Sequence, residues 1–357
     1  MRILFVSRDN GGAKQSIPTT LLALERGHEV GLVLEGLAGD RFQDAGLFGS
    51  GSKAKLLFRG LENSFETPFS VEAGPVLKKF RPDVVVTTRS WPTSLESLFG
   101  CAANEVGIPL VLMEDFWNGH RSYLAKPNTI ITLDEYAEKL VRRSHPSVRT
   151  VIAGNPGVME LDQIGITEEV RTRVEELRAR FGRVFVFAGG NPQQMTVELQ
   201  LLIECLKITK NWCLVSRPHP TIAKSEKEPG VKWSDFWNNM LKPFGEQIVS
   251  VECKMGESLA SLADATFSGF SLMLNTAAYA RRAAISLETE ACARALSETV
   301  GLAEVPIVAL GCAHTLGEPC DLDSRQLIRP ADEANLAKLK PFAPAVAFGA
   351  IENLVQK

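Results

Sequence analysis

Short, unbroken runs of apolar and β-branched residues recur along the chain, and stretches with helical periodicity separate them. Unbroken apolar runs of this length are typical of strands that are buried on both faces, and their alternation with helices is typical of parallel sheets. Right-handed crossovers between such strands give a doubly wound α/β domain. The strand-like runs of the first half are RILFVS (2–7), HEVGLVLE (28–35), PDVVVTT (82–88), IPLVLME (108–114), NTIITL (128–133) and RTVIAG (149–154).

The pattern stops at AGNPGVMELDQIG (153–165), which is rich in turn residues, and then starts again. The second set of runs is GRVFVFAGG (182–190), WCLVSRP (212–218), EQIVSVE (246–252), DATFSG (264–269), AAISLE (283–288) and VPIVAL (305–310). With 357 residues, the chain is longer than a single core usually organises. We therefore expect two Rossmann-like doubly wound domains, 1–158 and 159–357, and the helix predicted at 345–355 could pack back on the first.

Ligands of such sheets bind beyond the carboxyl ends of the strands, so the residues that directly follow strands carry most of the information. Two facing domains would leave a cleft at those ends. The ligand classes are bounded by charge: a net charge of −3 and a pI near 6.1 give no general attraction to nucleic acid.

Seven scattered cysteines without a CxxC pair favour a reducing compartment, and no run approaches the roughly 20 apolar residues of a membrane span. We expect a cytoplasmic protein without a transmembrane segment, for which peripheral membrane contact remains possible.

Two candidate sites follow strands in the first half. Gly11 and Gly12 follow the first strand and permit a tight turn ahead of a helix, a natural place for an anion or a sugar hydroxyl; the alternative is an ordinary glycine-tolerant turn. The segment is neither GxGxxG nor GxxxxGK[ST], which disfavours a standard NAD fold and a P-loop. Glu114 and Asp115 end another strand beside aromatic residues, which would raise a carboxyl pKa and suit a general base. A helix-capping carboxylate is the alternative there.

The second half has three strand ends that suit phosphate. Gly189, Gly190 and Asn191 precede a helix N-terminus, whose free N–H groups attract anions. Arg217 supplies a planar fork of donors, and His219 stands between two prolines that stiffen its loop. Each motif also has a purely structural interpretation. The glycines could form an ordinary turn, and the segment around His219 could be a proline-rich exit from a strand.

The third of these strand ends is SGFS, where serine hydroxyls and backbone amides precede a helix and could cradle an anion. Glu288 closes the next strand and could accept hydrogen bonds from ribose hydroxyls. A simple helix N-cap would explain either serine singly. The candidate ligand-binding residues of this part of the chain are Ser268, Gly269, Ser271, Thr276 and Glu288.

These residues together resemble GT-B glycosyltransferases, and the HP dipeptide after a strand with a later serine turn resembles the HP-motif group of that fold. Bacterial sialyltransferases, capsular Kdo transferases and CDP-glycerol glycerophosphotransferases form this group. The resemblance implies that Asp115, or Glu114, is the base, and that His219 with Ser268 and Ser271 holds the donor phosphate. Phe116 stands where the acidic motif has glycine, and Gly-Phe separates the two serines.

The function expected from this resemblance is transfer of a sugar from a CMP-, CDP- or UDP-linked donor to a hydroxyl of a glycan or small molecule. We expect inversion, no cofactor and no metal, because the only DxD triplet, Asp321 to Asp323, lies in a polar turn. UDP-N-acetylglucosamine 2-epimerases share the two-domain fold and are the alternative as nucleotide-sugar epimerases or hydrolases. A non-catalytic nucleotide-binding relic is a further alternative.

Overall fold

The computed structural model describes residues 1–49, 51–60, 72–90, 95–158, 165–190, 192–218, 225–251 and 256–356. The chain divides into two compact units. The first unit comprises Met1–Pro156 and Lys340–Lys357, and the second comprises Gly157–Leu339. The C-terminal segment therefore belongs with the N-terminal unit.

Both units alternate strands and helices. The described strands are β1 (Arg2–Ser7), β2 (Glu29–Glu35), β3 (Lys55–Gly60), β4 (Val84–Thr87), β5 (Leu110–Met113), β6 (Thr129–Thr132), β7 (Arg149–Ile152), β8 (Arg183–Ala188), β9 (Trp212–Arg217), β10 (Glu226–Glu228), β11 (Val231–Lys232), β12 (Ile248–Val249), β13 (Ala265–Ser268), β14 (Ala283–Leu287) and β15 (His314–Leu316). The described α-helices are α1 (Asn10–Glu25), α2 (Gly36–Asp44), α3 (Ala73–Phe80), α4 (Leu95–Glu105), α5 (Glu135–Ser144), α6 (Glu168–Phe181), α7 (Pro192–Ile208), α8 (Trp233–Leu241), α9 (Gly256–Leu262), α10 (Met273–Tyr279), α11 (Glu290–Val300), α12 (Pro306–Ala309), α13 (Glu333–Leu336) and α14 (Pro344–Val355). Short 3-10 helices cover Gly119–Ser122 and Lys242–Gln247.

The strands of the first unit form one parallel sheet in the order β3-β2-β1-β4-β5-β6-β7. The order reverses between β1 and β4, which is the switch point of a doubly wound fold. Helix α14 covers this sheet, where Phe348 and Ile351 are fully buried in one core with Phe5 and Val30. Burying each such large side chain stabilises the unit by about 1.5–3 kcal/mol.

The second unit has a parallel sheet in the order β12-β9-β8-β13-β14-β15, with its switch point between β8 and β13. Strands β10 and β11 form a separate antiparallel hairpin. The core includes Phe185 and Phe267 from adjacent strands, whose ring centroids lie 5.4 Å apart in an edge-to-face arrangement. The predicted fold class, two parallel-sheet α/β Rossmann-like domains, is confirmed.

Three details differ from the sequence prediction. VPIVAL contains helix α12 instead of a strand, because Pro306 occupies the first helical position, where its fixed φ favours a helix and its missing N–H costs nothing. Helix α1 begins at Asn10, so Gly11 and Gly12 lie in its first turn and not in a loop ahead of the helix. Strands β3 and β15 lie on sheet edges and were missed.

Within the described ranges, no helix combines the length and the apolarity needed to cross a bilayer.

Candidate active site

The carboxyl edge of the first sheet brings together the ends of β1, β4 and β5. Val6 pairs with Thr87, and Thr87 pairs with Leu112. Residues directly after these strands are therefore neighbours at the switch point, where parallel sheets bind ligands.

Glu96 of α4 fixes the two chain segments that flank this switch point. Its side chain is fully buried and accepts hydrogen bonds from the Arg8 N–H at 3.0 Å and the Ser90 hydroxyl at 2.7 Å. A third bond, from the Thr88 hydroxyl, is longer at 3.4 Å. Because one buried carboxylate ties both strand exits, the edge of the sheet is held in a defined shape.

The Glu114 side chain is held in the interior by hydrogen bonds to His120. Its carboxylate is buried, and Oε1 lies 2.7 Å from His120 Nδ1 and 2.8 Å from the His120 N–H. Nε2 of the same imidazole lies 2.8 Å from Ser144 Oγ, and the Gln15 amide donates to the Glu114 carbonyl. These contacts anchor the chain that follows β5 and hold the Glu114 carboxyl group in the interior.

Asp115, the next residue, is half-buried, and its carboxylate lies against the first turn of α1. A Cβ placed on Gly11 would fall 2.0 Å from Asp115 Oδ2, so only glycine permits this approach. Desolvation raises the pKa of Asp115 to about 7, while attraction by Arg89 lowers it and the charge of Asp9 raises it further. The direction of this shift agrees with the sequence expectation.

Two arginines at this edge were missed in the sequence analysis. Arg8 follows β1 and lies with its Nε 3.5 Å from Glu35 Oε2, and desolvation raises the pKa of Glu35. Arg89 follows β4 and donates to Ser122 Oγ at 2.9 and 3.2 Å. Arg8 directly follows β1, and Arg89 lies two residues after β4, as Asp115 does after β5. The rule that found Asp115 would therefore also have found them.

The carboxyl edge of the second sheet brings together most of the residues predicted for phosphate. Arg217 pairs with Ala188, Phe187 with Phe267, and Ser268 with Ser286. The segments that follow β9, β8, β13 and β14 are thus side by side. The predicted residues that share this edge are Gly189, Gly190, Arg217, Ser268, Gly269, Ser271 and Glu288.

The serine turn, Ser268 to Ser271, has both of its side chains oriented by backbone donors. The Ser271 N–H donates to Ser268 Oγ at 3.3 Å, and the Met273 N–H donates to Ser271 Oγ at 3.2 Å. Because each hydroxyl oxygen accepts, its own proton remains to be donated elsewhere. Ser268 is buried and Ser271 is half-buried. The turn therefore suits an anion that approaches at Ser271.

Arg217 lies near the start of α9. Its Nε is 4.0 Å from the point where a Cβ on Gly256 would stand. The side chain of Met273, from α10, approaches the same point, with its Sδ 3.0 Å away. The Arg217 carbonyl accepts from the Gly189 N–H at 3.2 Å, which links the segments after β8 and β9.

The remaining predicted residues have other positions. Thr276 is buried and its hydroxyl donates to the Gly157 carbonyl at 2.8 Å, so its proton is used inside the unit. Glu288 is exposed at the end of β14. His219 and Asn191 lie outside the described residues.

Sequence reasoning also missed a buried acid, Glu198 of α7. Its Oε1 lies 2.5 Å from Gln194 Nε2, it accepts a bond from the Gly269 N–H, and desolvation raises its pKa to about 8. Gln194 and Glu198 are four residues apart on the helix face that buries Met195 and Leu202. Two polar residues on an otherwise apolar helix face were the feature of the sequence that could have pointed to Glu198.

The predicted absence of a metal remains a prediction. In the part of the chain that the structure describes, no group of three His, Cys, Asp or Glu side chains could hold a metal ion. Asp323 of the DxD triplet pairs with Arg183, which begins β8 at the amino end of the sheet.

Solved structures with a similar fold include enzymes that are named for nucleotide-sugar chemistry. A putative UDP-N-acetylglucosamine 2-epimerase from Listeria monocytogenes matches with a TM-score of 0.66 at 11% identity, over 99% of this chain and 95% of that one. The Neisseria meningitidis UDP-GlcNAc 2-epimerase bound to UDP-GlcNAc matches with a TM-score of 0.62 at 15% identity, over 100% of both chains. The kitacinnamycin glycotransferase matches with a TM-score of 0.60 at 14% identity, over 99% of both chains.

No protein-family model matches the chain, and no curated protein matches it in sequence. The structural neighbours thus include both GT-B glycosyltransferases and UDP-GlcNAc 2-epimerases, which supports the GT-B fold. The HP-motif subtype is not confirmed.

Proposed function

We propose that the protein is an enzyme that acts on a UDP-linked sugar, with the phosphates bound at the carboxyl edge of the second sheet and Asp115 as a proton acceptor in glycosyl transfer. The observation that carries this proposal is the half-buried Asp115 carboxylate at the switch point of the first sheet, with its pKa raised to about 7. A general base works best when its pKa is near the working pH. UDP is the proposed nucleotide because structures with a similar fold contain bound UDP or UDP-GlcNAc.

The second unit supplies the donor contacts in this proposal. Arg217 and the hydroxyls of Ser268 and Ser271 bind the phosphates, with His219 as a further proposed donor. As the bond between the sugar and the diphosphate breaks, negative charge grows on the departing phosphate. Fixed hydrogen-bond donors stabilise that charge more than the ground state, and this lowers the barrier.

Asp115 supplies the proton-accepting step. Its ionised carboxylate takes the proton of the acceptor hydroxyl as the oxygen attacks the anomeric carbon. Arg89 attracts the same carboxylate and opposes the effect of burial on its pKa. Glu114 is left out of this role because His120 holds it in the interior.

The test has a binding arm and a turnover arm. Thermal shifts with CMP, CDP, UDP, UMP, GDP and TDP should show the largest increase of Tm for UDP, because a ligand of the native state stabilises it. Asp115→Asn should keep that shift and slow UDP release from UDP-N-acetylglucosamine, in which water serves as the acceptor hydroxyl, by about 10²- to 10⁴-fold. Asp44→Asn, an exposed change in α2, is the control. Release by Asp115→Asn at the unmodified rate would overturn the proposed role of Asp115.

A UDP-N-acetylglucosamine 2-epimerase is the second candidate, and one observation favours it. The epimerase structures have TM-scores of 0.58 to 0.66, and the glycosyltransferase structures have TM-scores of 0.53 to 0.60. Inversion at C2 by removal and return of a proton would incorporate deuterium from D2O at C2. Proton NMR of UDP-N-acetylglucosamine incubated with the protein in D2O, without an acceptor, separates the candidates: loss of the C2 proton signal identifies the epimerase.

A further inference from the structure

The Glu198 carboxyl group occupies the space beside Gly269 that the side chain of any other residue at that position would need. A Cβ on Gly269 would fall 2.1 Å from Glu198 Oε1 and 2.7 Å from Cys292 Sγ. Overpacking of this degree is not relieved by small side-chain movements. The glycine therefore lets a carboxyl group from α7 pack directly beneath the serine turn.

The backbone of Gly269 is held at both of its polar atoms. Its N–H donates to Glu198, and its carbonyl accepts from Ser286 Oγ at 2.7 Å. Since Gly269 lies between the two serines, the bond to Glu198 fixes the orientation of the turn from below. Glu198 thus positions the residues that we propose bind phosphate, without contacting a ligand itself.

The second oxygen of Glu198 has an unusual environment. Oε2 is buried and has no hydrogen-bond partner among the described residues. Buried polar atoms without a partner are rare in folded proteins, and an ionised carboxylate in such a place is costly unless a cation compensates it. The groups that act on Glu198 are the Gln194 amide and the Gly269 N–H, both of them neutral.

The elements packed around Glu198 contribute one other titratable group in close contact. Cys292 of α11 approaches the same point, and desolvation raises the pKa of its thiol to about 12, so the thiol is neutral at physiological pH. Glu288, after β14, acts on Cys292 and is exposed. Ser286 of β14 and Gln194 of α7 do not titrate. Glu198 is therefore the group whose charge can change beneath the turn.

We propose that Glu198 is a positioning residue whose neutral form permits, and whose ionised form opposes, phosphate binding at the serine turn. This inference rests on the proposed function of that turn. In the neutral acid, Oε1 still accepts from Gly269 while no negative charge faces the bound phosphate. In the carboxylate, the two negative groups repel each other through a poorly screened interior.

The position of this change on the pH scale follows from burial, which raises the pKa of Glu198 to about 8. Two like charges about 10 Å apart at an effective dielectric constant of about 20 repel by enough to change a binding constant about tenfold. UDP affinity should therefore fall about tenfold as the pH rises through about 8.

The experiment is calorimetric titration of UDP into the full chain between about pH 7 and about pH 9.5. The unmodified protein should lose affinity across this range, and Glu198→Gln, which keeps a carbonyl for the Gly269 N–H, should bind equally at every pH. Glu198→Met is a second neutral variant in case Glu198→Gln folds poorly. Glu204→Gln, an exposed change in the same helix, should retain the pH dependence of the unmodified protein.

The outcomes separate the two proposals. Equal UDP affinity of the unmodified protein at all pH values, or the same loss of affinity in Glu198→Gln and Glu198→Met, would overturn the role of Glu198 and leave the nucleotide site intact. Absence of UDP binding at any pH would overturn the proposed nucleotide site and this inference together.

Discussion

Asp115 and Glu114 are adjacent in the sequence but have opposite environments. Glu114 continues the inward side of β5 and pairs with His120, whereas Asp115 lies against Gly11 at the edge of the sheet. An isolated dipeptide motif cannot show this difference, because it depends on an imidazole six residues further on. The raised pKa of Asp115 is a property of the folded edge, not of the motif.

The raised pKa of Asp115 predicts an acid limb in the pH–rate profile. A base must be ionised to accept a proton, so kcat/KM should fall about tenfold per pH unit below about 7. An unperturbed aspartate would place that limb near pH 4. Initial rates of UDP release between about pH 5 and about pH 8 measure it, and a constant rate over this range would contradict the role of Asp115 as base.

The close packing around Gly269 predicts that even a small side chain at this position lowers the stability of the protein. Gly269→Ala should lower the free energy of unfolding by about 1–3 kcal/mol, because its Cβ would overlap Glu198, Gln194 and Cys292. Gly349→Ala is the matched control: Gly349 lies in α14 with no atom within 4 Å of the added Cβ, so alanine should stabilise by about 0.5–1 kcal/mol. Urea unfolding of both variants measures this, and equal stability of the two would contradict the packing beneath the turn.

The buried Glu198 also predicts a pH-dependent stability that needs no ligand. Its folded pKa, about 8, is above the ordinary value of 4.5, so its stabilising contribution is complete below about pH 4.5 and is lost as the pH rises to about 8. Glu198→Gln should remove this part of the decline, and its Tm advantage over the unmodified protein should grow with pH. Calorimetric scans at several pH values measure the difference, and a difference that does not change with pH would show that Glu198 does not titrate in this range.

At the scale of elements, the strands were the predictable part of the fold. Runs such as RILFVS and AAISLE are mostly apolar without strict alternation, and a strand buried on both faces is the simplest structure for them. VPIVAL has the same composition and is a helix, because a proline at its second position favours a helix start over a ladder. Edge strands such as β3 are partly polar, so the same criterion missed them.

Residues of the candidate site could be predicted only where they lie at or near the end of a strand. Arg217 and Ser268 end strands and Asp115 lies two residues after one, and position alone made them candidates. Glu198 and Glu96 lie in helices, and each has one partner that is distant in sequence, Gly269 for Glu198 and Arg8 for Glu96. Their roles depend on tertiary packing, which a single sequence does not state.

The contacts of the segment that follows β5 predict that the stability of the protein depends on His120. His120→Ala removes the imidazole that bonds the buried Glu114 side chain, and leaving a buried polar group without a partner costs about 1–3 kcal/mol. Glu114→Gln with His120→Ala should cost less than the sum of the two single changes, because the bond between the two side chains is lost only once. Urea unfolding of the single and double variants tests this, and losses that simply add would contradict the pairing.

At the scale of the whole molecule, each unit has its own sheet and its own core, and α14 returns to complete the first. Phe348 of α14 packs in the core that contains Phe5, whereas Phe267 packs in the core of the second unit. Cores of this kind unfold as cooperative regions.

Two matched core substitutions should therefore report on different units. Phe348→Ala should destabilise by about 3–5 kcal/mol and speed amide exchange in Met1–Pro156, and Phe267→Ala should do the same in Gly157–Leu339. Hydrogen-exchange mass spectrometry locates both effects. Faster exchange in the second unit alone after Phe348→Ala would contradict the assignment of α14.

The most direct test of the nucleotide site is calorimetric titration of UDP into the unmodified protein and into Arg217→Ala. Arg217 ends β9 at the carboxyl edge of the second sheet, and its Nε lies near the start of α9. A hydrogen bond to a charged group contributes about 1.5–3 kcal/mol. We predict saturable UDP binding that weakens at least about tenfold in Arg217→Ala and is unchanged in Arg180→Ala, an exposed change in α6 of the same unit. UDP binding of equal affinity in Arg217→Ala, or none in the unmodified protein, would contradict a phosphate site at this edge of the second sheet.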